Sequence, residues 1–169
     1  PTFNAAEHPQ LRGFSWNVDG IKALFERLPE ALGQLASTGV DVILLQETKL
    51  QEKFHDRWCV ILELVAPEYV PYFNSSSVRL GYSGTLALLH RRHVGICHVE
   101  PVRLGVGGAG PSGALLTQVG PREDIDLEGR TQVLHFPAFG ATVYNTYMVN
   151  SMHDFRRIRA KSAYQRDRL

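Results

Sequence analysis

Cysteine is nearly absent: Cys59 and Cys97 are the only two in 169 residues. Two cysteines cannot build a disulfide framework, and neither has a partner at zinc-ligand spacing, so a cross-linked secreted scaffold and a structural zinc module are both excluded. A reducing intracellular setting is the simpler reading. Net charge is scarce as well, since 18 Lys and Arg against 17 Asp and Glu leave +1. No global field therefore draws the chain to nucleic acid or to a membrane, and any such role rests on a local patch. No apolar run approaches a membrane span, the opening P-T-F-N-A-A-E-H-P-Q carries no signal-peptide core, and no internal repeat or heptad is visible. An initiator methionine is lacking too, which leaves room for an upstream tail or targeting segment.

What is present fits one globular α/β domain with a real core, at 44% hydrophobic and 21% charged residues. The organising stretch is D-V-I-L-L-Q-E-T-K, Asp41 to Lys49. Four consecutive apolar residues, Val42 to Leu45, suit a short strand buried on both faces, and such a strand needs a covering layer on each side. It ends in Glu47 and Lys49, at the carboxyl end where open α/β sheets place their ligands. A solvated strand-end carboxylate is the plainer reading of Glu47 from this stretch alone.

Upstream, Leu11 to Asn17 reads as a first strand with Phe14 and Trp16 on one face. Ile21, Leu24, Phe25, Leu28, Leu32 and Leu35 then recur at helical spacing, with Asp19 or Gly20 as cap, Pro29 as a split and Gly39 as the stop. Strand, helix and strand form a β-α-β unit that brings Asn17, Asp19 and Glu47 to one rim. Phe54 to Val65 reads as a second helical stripe closed by Pro67. Further strands are expected at Tyr69 to Asn74, with Pro71 at an edge, at Thr85 to His90, and along an edge from Val94 to Val99. Thr131 to Phe136 and Ala141 to Tyr147 read as a hairpin.

Gly105 to Gly113 is glycine-rich but lacks a Gly-Lys-Ser/Thr ending and a following helix, so it reads as a surface loop rather than a phosphate cradle. Glu123, Asp124, Asp126 and Glu128 read as a solvated acidic face, without calcium-loop spacing. From His153 onward Arg156, Arg157, Arg159, Lys161, Arg166 and Arg168 form the sole basic patch. A solvated helix face and a phosphate-binding role explain it equally well on charge alone.

Five motifs in order, F-S-W-N-V-D-G at Phe14 to Gly20, Q-E-T-K at Gln46 to Lys49, G-Y-S-G at Gly81 to Gly84, E-G-R at Glu128 to Arg130 and Y-M-V-N-S at Tyr147 to Ser151, resemble the exonuclease III type of apurinic/apyrimidinic endonuclease. This family lies within the endonuclease/exonuclease/phosphatase superfamily. The resemblance implies an α/β fold, of which residues 11–169 would be the N-terminal half of a four-layered sandwich of two packed β-sheets flanked by helices, with 1–10 as an extension. It also implies a magnesium-dependent hydrolase, with manganese as a substitute, that cuts duplex DNA 5′ to abasic sites in base excision repair. Activity as a 3′ exonuclease or 3′ phosphodiesterase would accompany it.

By the same resemblance Glu47 is the direct metal ligand and Asp19 stands beside it, binding in the outer shell or through water. Asn17 holds the hydrogen-bond geometry, and Lys49 orients Glu47 and lends positive charge toward DNA. Tyr147 and Asn150 would donate hydrogen bonds to the phosphate. Tyr82 and Arg130 would contact the DNA backbone, and Arg156 and Arg157 of the basic segment would adjoin them.

Departures are visible as well. Val149 stands where the family usually has proline, His153 near a usual arginine, and Gly105 to Asp126 is longer than the corresponding loop of common members. The family's later G-D-x-N and S-D-H motifs are lacking in this sequence. The 169 residues alone are therefore expected to be inactive, with no segment to cover the second face of the central strands. The complete protein is expected to be a monomer acting in the nucleus or another DNA-containing organelle if eukaryotic. Another phosphodiesterase of the superfamily (a DNase I-like nuclease, an inositol polyphosphate phosphatase or a deadenylase) and a non-catalytic DNA-binding half-domain remain as alternatives.

Overall fold

The computed structural model describes residues 10–77, 79–101 and 128–148. β1 (Gly13–Asn17) is followed by α1 (Ile21–Arg27) and α2 (Ala31–Ser37), which return the chain to β2 (Val42–Gln46). β2 pairs parallel to β1, from Gly13 with Val42 to Asn17 with Gln46, as the β-α-β reading requires. Pro29 splits the helix because it has no N–H to donate. The first piece closes with Leu28 N–H on Leu24 O at 2.7 Å, and α2 starts afresh at Ala31. A 3-10 turn at Glu52–Phe54 leads into α3 (His55–Val65).

β3 (Tyr69–Asn74) and β4 (Thr85–His90) complete a sheet in the order β1-β2-β4-β3, with Pro71 on an edge strand as expected. β5 (His98–Pro101), β6 (Thr131–Phe136) and β7 (Ala141–Thr146) form a second, antiparallel sheet in that order, and β6 and β7 are the expected hairpin. The edge strand expected from Val94 begins later. Gly95 at φ 85° interrupts the extended path, so Val94 and Cys97 make an isolated bridge and the ladder starts at His98.

Alternation on the central strands divides the core in two. Ile43, Leu45, Leu86 and Leu88 face the helices and meet Ile21, Leu24, Leu32, Trp58 and Leu62. Val42, Leu44, Ala87 and Leu89 face the other way and meet Leu134 and Phe136 of β6. This corrects the expectation that nothing in the chain covers the second face: the β5-β6-β7 sheet lies over it. Sequence pattern placed the hairpin but carried no signal for where it packs, because that contact joins positions about a hundred residues apart. Among the described residues no helix is long and apolar enough to cross a membrane. Cys59 is exposed and Cys97 buried, both free, and burial pushes the Cys97 thiol up to about 11.

Candidate active site

Three loops are laced together at the carboxyl ends of β1 and β2. Val18, Gly20 and Ile21 donate their N–H groups to Gln46 O, Glu47 O and Thr48 O at 3.0, 2.7 and 3.0 Å, so the first turn of α1 finds its acceptors in the β2 loop. Gly20, one of the two caps the sequence offered, occupies the helix cap without any side-chain bond. Thr48 and Lys49 in turn donate to Gly84 O and Ser83 O at 3.1 and 2.8 Å. Asp19, Glu47, Lys49 and Ser83 all have positive φ, between 48° and 53°. Non-glycine residues adopt that region only where surrounding bonds over-determine it, and such positions cluster at functional sites.

The lacing aims four polar side chains at one another. Asn17 donates from Nδ2 to Glu47 Oε1 at 2.9 Å, while its Oδ1 accepts from Asp19 N–H at 3.1 Å. Lys49 Nζ is hydrogen-bonded to Asp19 Oδ1 and lies 3.7 Å from Glu47 Oε2. The hydrogen bond and charge of Lys49 hold the Asp19 carboxyl below its ordinary value, against a smaller effect of burial. The Asp19 hydrogen bond reciprocally raises Lys49, against burial and with help from the charges of Asp19 and Glu47.

Tyr147 reaches the same carboxylate from the second sheet. Burial pushes its phenol up to about 12, reinforced by the hydrogen bond to Glu47 and by the charge of Glu47, with Arg130 opposing. Its backbone N–H is fixed on Arg130 O at 2.8 Å. Arg130 itself is 1% exposed. Its guanidinium pairs with Glu128, donates to Tyr82 Oη at 3.0 Å and to Tyr147 O at 3.3 Å, and stacks on the rings of Tyr147 and Tyr82 at 4.6 and 5.4 Å.

Of the residues singled out in the sequence, Asn17, Asp19, Glu47, Lys49 and Tyr147 come together. Tyr82 and Arg130 form a buttress behind Tyr147, with Arg79 stacked on Tyr82 at 4.5 Å. Arg130 faces inward rather than toward solvent. Glu128, read in sequence as part of a solvated acidic face, is instead 5% exposed and paired with Arg130. Its spacing of two from an arginine across a glycine was the available signal. Asn150, Arg156 and Arg157, the glycine-rich segment and the rest of the acidic run lie outside the described residues.

Two carboxylates that converge on one ammonium can converge on one metal ion, and their hard oxygens suit magnesium, which keeps several waters and takes one or two protein carboxylates. Among the described residues no group of three or more His, Cys, Asp or Glu could hold a metal.

A sequence model of the endonuclease/exonuclease/phosphatase family matches residues 14–168. An exodeoxyribonuclease of Streptococcus pneumoniae is 28% identical over 164 residues, covering 91% of this chain and 53% of that protein. The DNA-(apurinic or apyrimidinic site) endonuclease 2 of Xenopus laevis is 43% identical over 70 residues, 41% of this chain and 12% of that protein. The crystal structure of an AP endonuclease from Leishmania major superposes with a TM-score of 0.67 at 22% identity, over 98% of this chain and 49% of that one. The chain spans about half the length of the curated exodeoxyribonucleases it matches.

Proposed function

The chain belongs to the endonuclease/exonuclease/phosphatase family, and from that premise we propose that its protein is a magnesium-dependent DNA repair nuclease that cuts the backbone 5′ to abasic sites. One observation carries the reading: β1, β2 and β7 deliver Asn17, Glu47 and Tyr147 to one hydrogen-bonded cluster, with Asp19 and Lys49 beside it. A divalent ion at Glu47, with Asp19 beside it, would neutralise the phosphate and the leaving oxygen. Manganese would substitute for magnesium.

The chain's own residues then have distinct tasks. Asn17 fixes one oxygen of Glu47, and the other lies 3.7 Å from Lys49 Nζ. Lys49 orients both carboxylates and adds positive charge near the phosphate. Burial raises the Tyr147 phenol, and with a divalent ion on Glu47 its O–H is free to turn from that carboxylate and donate to the phosphate. Tyr82 is assigned to the DNA backbone, a contact that positions without reading sequence. Arg130 is assigned to holding Tyr82 and Tyr147 in place, its buried guanidinium being bonded to Glu128 and both tyrosine residues. Asn150 would join Tyr147 on the phosphate, and Arg156 and Arg157 would extend the grip along DNA.

The test is incision of a duplex carrying one abasic-site analogue, with magnesium or with chelator, by the full-length gene product and by the 169 residues alone. Magnesium-dependent cleavage 5′ to the site by the full-length product is expected, with Glu47→Ala reduced to background. The isolated segment should be inactive, as it lacks the family's later G-D-x-N and S-D-H motifs. Undiminished incision by Glu47→Ala would overturn the assignment.

A further inference from the structure

We propose that Asn145 is a positioning residue for this site: it pins the strand that carries Tyr147 onto the strand that carries Glu47, across the gap between the two sheets. Only the kinetic part of its test rests on the nuclease reading above.

The observation is a change of character along four of the strands that face the inter-sheet core. On β2 the inward stripe is Val42, Leu44, then Gln46. On β4 it is Leu89, Ala87, then Thr85. On β6 it is Phe136, Leu134, then Gln132, and on β7 Ala141, Val143, then Asn145. Each stripe is apolar until its last member, and each last member lies at the end where Glu47 and Tyr147 emerge. A polar layer thus underlies the site.

Asn145 is the hub of that layer and is 1% exposed. Its Oδ1 accepts from Gln46 Nε2 at 2.7 Å, and its Nδ2 donates to Leu45 O, Leu86 O and Gln132 Oε1 at 3.3, 3.2 and 3.1 Å. Both ends of the amide are therefore engaged, three of the four bonds crossing from the second sheet to the first. Gln46 continues to Ser15 Oγ on β1 at 3.0 Å, and Gln132 donates to Tyr72 O on β3 at 2.6 Å. Asn145 thereby touches, directly or through one amide, every strand of the first sheet.

An apolar side chain would extend the stripe of Ala141 and Val143 without the desolvation that a buried amide incurs. What the amide supplies is direction. Apolar faces let two sheets slide and rotate at little cost, whereas a fully satisfied buried network fixes one arrangement. Gln46 immediately precedes Glu47, and Tyr147 follows Asn145 by two residues, so the arrangement fixed here sets the meeting of phenol and carboxylate.

The test is NMR of the chain labelled with ¹³Cζ-tyrosine at neutral pH, with Tyr147 assigned from Tyr147→Phe and the bond-free position from Glu47→Ala. In folded Asn145→Ala the Tyr147 resonance should move most of the way to that position. Tyr69→Phe, which removes a bond to Val40 O at 2.7 Å at the other end of the sheet, should leave it in place. In the incision assay, kcat of Asn145→Ala should fall roughly 10- to 100-fold with KM nearly unchanged, and the loss should vanish in a Tyr147→Phe background. Where Asn145→Ala does not fold, Asn145→Asp, which keeps the shape and the acceptor, carries the same readouts. An unmoved Tyr147 resonance in a folded variant overturns the proposal, as does failure of both variants to fold, which would make Asn145 a purely structural residue. Absence of incision by the unmodified protein would sink the nuclease reading while the resonance still decides this one.

Discussion

Glu47, Asp19 and Lys49 each carry their functional atoms on a backbone in the left-handed region, a conformation that side chains resist. It persists because neighbouring loops hold it from both sides, and the tightest of those contacts is made by a glycine. Gly84 has φ 85°, and a Cβ there would stand 2.6 Å from Thr48 Oγ1 and 3.5 Å from Asn74 O. Its carbonyl also receives Thr48 N–H at 3.1 Å. Gly84→Ala should therefore cost roughly 1–3 kcal/mol, read as a lower urea midpoint. The same change should shift the Glu47 to Lys49 turn and, in the full-length product, weaken the incision proposed above. An unaltered midpoint would mean that the packing of Thr48 against Gly84 is looser than described. Gly129 meets an equivalent limit at Asn74 O, 2.6 Å from a would-be Cβ, which explains in contact terms why both the G-Y-S-G and E-G-R motifs contain glycine.

At the scale of elements, the second sheet is attached through few apolar side chains, and Leu134 at the middle of β6 is one of them, with 0% exposure. Leu134→Ala should lower stability by about 2–5 kcal/mol. Hydrogen exchange should accelerate on β6 and β7 before it does on β2, since β2 keeps its helix-side partners. Equal acceleration on both sheets would show that they unfold as one unit. This asymmetry also marks how far sequence pattern could reach. The run Val42 to Leu45 and its neighbours gave β2, the β-α-β unit and the rim of Asn17, Asp19 and Glu47, because each depends on local periodicity and short connections. The bridge from Gln46 to Asn145, 99 positions apart, leaves no local trace. Gln132 and Asn145 each look like polar interruptions of a strand, and only the folded molecule shows that they meet. Arg130 illustrates the same limit: its motif put it with Tyr82 on the DNA backbone, but the burial that turns it inward follows from Glu128 and the two tyrosines closing around it.

Across the whole molecule, the sheet sandwich is polar at both ends, and the two ends respond differently to acid. At the end remote from Glu47, Asp41 is 4% exposed and accepts from Arg12 N–H at 2.6 Å, His93 Nε2 at 2.7 Å and Arg92 at 2.6 Å. Burial alone would raise this carboxyl, but the bonds from Arg12, His93 and Arg92 together with the Arg92 charge outweigh it and hold the group at about 2. An unfolded aspartate titrates at about 3.9, so Asp41 binds a proton more weakly when folded. Its contribution is complete above that unfolded value and disappears as pH falls through about 4 toward 2. The contribution amounts to roughly 2–3 kcal/mol, because each tenfold weakening of proton binding on folding is worth roughly 1.4 kcal/mol and nearly two such steps separate the folded and unfolded values. Urea unfolding of the chain and of Asp41→Asn between about pH 6 and pH 2 should give a stability gap that is constant at the upper end and closes below about pH 4. Other carboxylates also lose stabilisation there, but they do so in both proteins and cancel in the difference. A gap that stays constant across that whole range would mean that Asp41 contributes shape and hydrogen bonds but not charge. In that case the lock on the remote end would be independent of pH, and acid sensitivity of the fold would come from other carboxylates, Asp19 held ionised by Lys49 among them.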